Sequence, residues 1–120
     1  MGARTSWEWL GDSDLLVQRW SVPIDEAPDG MAVIGWDESR ATYLQHYFDD
    51  RGVVRVYRLS LVGGELRLER TEPDNSACDF SQRYVGTVTA ARMEGAWWIA
   101  TDHVTWEKDF DLVYTRLDVT

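Results

Sequence analysis

Val53-Val54-Arg55-Val56-Tyr57-Arg58-Leu59-Ser60-Leu61-Val62-Gly63-Gly64-Glu65-Leu66-Arg67-Leu68-Glu69-Arg70 decides the fold. Apolar residues alternate with polar ones on both sides of a glycine pair, which is the mark of two half-buried strands joined by a tight two-residue hairpin. A loop at Gly63-Gly64 sets Leu61 against Leu66 and Leu59 against Leu68. Successive side chains point to opposite sides of a strand, so Val53, Arg55, Tyr57, Leu59 and Leu61 share a face.

Working upstream, Asp49-Asp50-Arg51-Gly52 is a turn signal. Centred on Asp50-Arg51, it sets Phe48 against Val53, His46 against Arg55 and Leu44 against Tyr57. His46, Arg55 and Tyr57 then sit among leucines on one apolar face, where an ionic group is costly unless it is paired or wet. Glu38 to Phe48 also reads as a helix, with Ala41, Leu44 and Phe48 on one side, but its β-branched and aromatic content favours a strand from Thr42 to Phe48. Earlier strands are expected over Ser6 to Leu10, Leu15 to Val22 and Met31 to Trp36. Leu16, Gln18, Trp20 and Val22 share one side of the second of these.

Working downstream, strands are expected over Phe80 to Val88, Met93 to Ala100 and Trp106 to Leu117. A turn at Ala90-Ala91 opposes Val88 to Met93, Tyr84 to Trp97 and Gln82 to Ile99. A turn at Asp102-His103 opposes Ile99 to Trp106. Trp106, Phe110, Leu112 and Tyr114 then continue the inner surface, with a bulge near Lys108. Further turn signals fall at Gly11 to Asp14, Asp25 to Gly30 and Asp74-Asn75-Ser76. Short strands with turns at this spacing predict an all-β, antiparallel sandwich or barrel in a single domain spanning residues 1–120.

Composition narrows the function. The 120 residues carry 21 acidic and 12 basic side chains, a net charge of −9. That balance opposes nucleic-acid binding, which needs basic surface to displace counterions, and opposes docking on anionic lipid. No apolar run approaches the roughly 20 residues of a membrane helix. The start, Met1-Gly2-Ala3-Arg4, has no signal core, so the expectation is a cytoplasmic protein with no membrane partner. Met1 to Ser6 does fit the loose myristoylation pattern, a match short enough to arise by chance. Seven tryptophans and a single lysine, Lys108, stand out. Tryptophan suits a wall between core and a wet pocket, and arginine stacks on rings where lysine does not.

Leu16-Val17-Gln18-Arg19-Trp20, Gln45 to Val53, Phe80-Ser81-Gln82-Arg83-Tyr84 and Trp106 to Leu112 together resemble an uncharacterised bacterial family of lipocalin-like, calycin-type proteins. The likeness runs from about Trp9 to Arg116. It implies an antiparallel up-and-down β-barrel with a central cavity. It also implies an additional N-terminal strand that this chain lacks, so that either a partner subunit, in a homodimer, or the Ser6 to Leu10 segment closes the seam. The turn after Val88 is shorter than the family's, and Trp97 to Ala100 is more apolar.

Catalytic motifs are sparse. His46 and His103 lie far apart and Cys78 has no partner cysteine, which opposes a metal site. No nucleophile elbow or phosphate-binding glycine loop is present, and no cofactor is implied. His103 reads as a solvated loop residue. His46 is open to three readings: a hydrogen-bonded core residue, a proton carrier or a haem ligand. Asp49-Asp50 and Asp109 with Asp111 read as solvated. The expected ligand wall is Trp20, Tyr57, Tyr84, Trp97, Trp106, Phe110 and Tyr114, with Gln18, His46, Arg55 and Gln82 giving orientation. Three functions fit. One is a binding module for a small apolar or aromatic molecule. The second is a cofactor-free cyclase, isomerase or decarboxylase using His46 or Tyr57 as acid–base and Arg55 as anion stabiliser. The third is a structural dimer with a filled interior.

Overall fold

The computed structural model describes residues 3–23, 28–71 and 80–115. Among the described residues the regular elements are nine strands: β1 (Arg4–Trp9), β2 (Leu16–Ser21), β3 (Gly30–Asp37), β4 (Thr42–Asp49), β5 (Val54–Val62), β6 (Glu65–Arg70), β7 (Ser81–Val88), β8 (Arg92–Ala100) and β9 (Glu107–Thr115). They form one antiparallel up-and-down sheet in the order of the sequence. No helix among the described residues is long and apolar enough to cross a membrane. The Glu38 to Phe48 segment is a turn followed by β4, as its strand-forming side chains require. Cys78, the Asp74-Asn75-Ser76 turn, residues 1–2 of the myristoylation match, part of the Asp25 to Gly30 turn and the end of the last strand at Leu117 lie outside the described residues.

The described residues divide into two compact units, one up to Tyr57 and one from Arg58 onward. In the first unit, β1 to β4 and the start of β5 bring Thr5, Gln18, Trp20, Ala32 and Tyr47 to one side through the registers Thr5↔Trp20, Gln18↔Ala32 and Ala32↔Tyr47. Ala32 and Tyr57 are buried there. Val17 and Leu44 are buried on the opposite side.

In the second unit, the hairpin at Gly63-Gly64 sets Leu61 against Leu66 and Leu59 against Leu68, as the alternation predicts. Gly63 and Gly64 both adopt positive φ, 59° and 82°, which a primed hairpin turn demands and glycine supplies without strain. The next hairpin also follows expectation: Val88 faces Met93, Tyr84 faces Trp97 and Gln82 faces Ile99.

Two connections differ from the sequence reading. At Asp49-Asp50-Arg51-Gly52, the Asp49 N–H donates to the Val53 carbonyl at 3.1 Å and the Gly52 N–H to the Asp49 carbonyl at 3.0 Å. Gly52 sits at φ +81°. This is a three-residue loop closed by a glycine bulge, so Asp49, not Phe48, faces Val53. His46 therefore leaves the expected apolar face. It stands exposed opposite Val33, and Phe48 is exposed with it. After β8, Ile99 faces Glu107 instead of Trp106. His103 in that connection holds φ +65°. The shift moves Trp106 to the side of Arg83, whose guanidinium carbon lies 4.1 Å from its ring centroid. The bulge expected near Lys108 is present: Trp97 faces Phe110 and Trp98 faces Lys108, leaving Asp109 as the extra residue.

Candidate functional site

The buried face of the first unit combines aromatic rings with polar groups. Trp20 lies flat on Gly30: a Cβ at Gly30 would come within 2.5 Å of the indole Cζ2. Its N–H donates to the Pro28 carbonyl at 3.2 Å. The Trp20 ring stacks on Tyr47 at 5.3 Å and 28°, and Tyr47 meets Tyr57 edge-on at 6.3 Å. Offset stacks and edge contacts of this kind suit the ring quadrupoles.

Beside the rings lies a closed polar network. The Tyr47 hydroxyl donates to Asp49 Oδ2 at 2.6 Å, and Arg51 Nη2 donates to the same oxygen at 2.6 Å. The Arg51 backbone N–H donates to Oδ1 at 3.0 Å. The Asp49 side chain has no exposed surface, so the expectation that Asp49 is solvated is corrected. Burial alone would raise its pKa. The hydrogen bonds from Arg51 and Tyr47 outweigh burial and hold it at about 2, below the ordinary 3.8. Burial, reinforced by the bond to Asp49, pushes the Tyr47 hydroxyl well above its ordinary value. Asp49 is therefore a structural anion with its partners in place.

A second polar pair is less complete. Gln18 on β2 and Gln45 on β4 reach toward each other across β3, and Gln45 Nε2 donates to Gln18 Oε1 at 3.4 Å. Both are nearly buried, at 5% and 6% exposure. Ala32, fully buried opposite Gln18, has only a methyl group to fill the space between their strands.

In the second unit, Gln82, Tyr84, Trp97, Phe110 and Tyr114 share one side of β7 to β9, as expected. Tyr84 is 1% exposed. Its ring covers Gly86 and Gly95, where an added Cβ would come within 2.8 and 2.9 Å of it. Its hydroxyl donates to the Leu112 carbonyl at 3.3 Å, and its ring meets Trp97 at 5.4 Å. Burial raises its pKa to about 12. Tyr84 thus fills its own surroundings. On the other side, Ser81 Oγ lies 2.8 Å from His103 Nδ1, a bond that ties the exposed histidine to the buried start of β7.

Of the expected site residues, Gln18, Trp20, Arg55 and Tyr57 belong to the first unit's buried face, and Arg55 is half-buried. His46 and Trp106 leave the expected faces because the connections at Gly52 and His103 shift their registers. The acid–base set His46, Arg55 and Tyr57 is not assembled, since His46 points away from the other two. Gln45, Tyr47 and Asp49 join the face instead. Gly52 is the sequence signal for them, because a glycine closing a three-residue loop sends the odd-numbered β4 residues inward. No protein-family model and no curated protein matches the chain.

Proposed function

We propose that the buried face of the first unit binds a small, planar, apolar or aromatic molecule. In this reading the meander is a lipocalin-like, calycin-type barrel of the cytoplasm that encloses the ligand. The observation that carries the reading is the continuous Trp20, Tyr47 and Tyr57 wall set beside the nearly buried amides of Gln18 and Gln45. Pockets for small ligands pair apolar walls with a few polar groups that fix orientation. The sequential antiparallel order of the strands is the order of an up-and-down barrel.

The test is a fluorescence titration with 1-aminoanthracene, a neutral planar probe. Saturable one-to-one binding with a blue-shifted emission is expected, and Tyr57→Leu should weaken it. Emission that rises without saturating, to the solubility limit of the probe, overturns the reading.

A further inference from the structure

We infer that the ligand of this face carries a cis-amide edge, an N–H and a C=O on adjacent ring atoms as in a lactam or a pyrimidinone, and that Gln18 and Gln45 read it together. The inference rests on the proposed binding reading and names its ligand class.

An amide offers two N–H donors and a carbonyl with two lone pairs. The single bond between Gln45 and Gln18 uses one donor and one acceptor. Among the described residues neither side chain has another hydrogen-bond partner. Gln18 keeps its NH2 and Gln45 keeps its carbonyl oxygen. Turning both amides end for end exchanges these labels but still leaves one donor group beside one acceptor. An amide held cis in a ring, with its N–H and C=O side by side, satisfies both at once.

The free ends of the two amides are not sealed from solvent, so a partner from solution can reach them. The surroundings fix the rest of the ligand. The Trp20 and Tyr47 rings offer stacking surface, with Tyr47 flanking Ala32 on the side away from Gln18. A flat ring fits such a wall. Asp49, on the same side of β4 as Gln45, is already engaged by Tyr47 and Arg51, so the ligand's edge need not be charged.

The experiment compares 2-quinolinone with N-methyl-2-quinolinone by calorimetric titration of the wild-type chain, Gln18→Leu and Gln45→Met. 1-Aminoanthracene serves as the probe without the edge. The lactam should bind the wild type at least about tenfold more tightly than its N-methyl analogue, as expected for one lost hydrogen bond to a buried group. Either substitution should erase that difference. If 1-aminoanthracene binds but the wild type does not distinguish the two lactams, or binds neither, the amide-edge inference falls alone. If no probe binds, the binding reading falls and takes the inference with it. The wild-type comparison decides even where a variant does not fold.

Discussion

The two units use one device for different ends. In each, an aromatic side chain lies over glycine: Trp20 on Gly30 in the first, Tyr84 on Gly86 and Gly95 in the second. Around Tyr84 every group is consumed, with the hydroxyl on the Leu112 carbonyl and the ring against Trp97. Around Trp20 the rings stand beside two amides with unmade hydrogen bonds. The second arrangement obeys the rule that buried polar groups find partners. The first leaves amide ends that solvent can reach, while the one fully buried side-chain atom without a partner among the described residues, Arg83 Nε, lies elsewhere in the second unit.

The sharpest way to break the contrast is Asp49→Ala. It leaves the Tyr47 hydroxyl and the loop N–H groups without their acceptor, at a cost of about 3 kcal/mol by urea unfolding. The same residue gives a pH signature. Its folded pKa of about 2 lies below the ordinary 3.8, so its stabilisation is complete above the ordinary value and is lost as pH falls toward 2. The stability gap between the wild type and the alanine variant should be flat near neutrality and close on acidification. Asp37 and Asp102, each also held at about 2 by local hydrogen bonds, titrate in the same window but cancel in that difference.

Gly86→Ala and Gly95→Ala test the filled half. A new methyl group at either position drives into Tyr84, and at Gly95 also into the Val85 carbonyl. Each should cost about 2 kcal/mol by overpacking, measured by thermal denaturation. The smallest effect is expected at His46. Exposed and on the far side of β4, it should change stability by no more than about 0.5 kcal/mol on replacement by alanine. Aminoanthracene binding should be unaffected. A large loss of binding in His46→Ala would return the histidine to the site and reverse the sidedness of β4.

The strands and both two-residue hairpins were legible because alternation and turn chemistry act locally. Gly63-Gly64 admits one loop geometry, and the Leu59↔Leu68 register follows from it. The faces of β4 and of Trp106 were not legible in the same way. Asp49-Asp50-Arg51-Gly52 fits a two-residue or a three-residue loop by composition, and the hydrogen bonds that choose between them depend on Asp49 being buried beneath Arg51 and bonded to Tyr47. In the connection before β9, His103 takes a left-handed conformation that its sequence does not announce, held with a bond to Ser81 from another strand. Gln18, Trp20, Arg55 and Tyr57 therefore lie on the side that the sequence reading gave them. Gln45, Tyr47 and Asp49 join that side because the reading of β4 was displaced by one position.

The Gly52 loop has an arithmetic consequence. Sidedness in a strand is a matter of odd and even, so the hairpin joining β4 to β5 counts its residues modulo two. Excising one residue there would carry Arg55 and Tyr57 to the side of Leu44 and His46, and excising two would restore them. Insertions and deletions at this hairpin are compatible with the aromatic wall only in even steps.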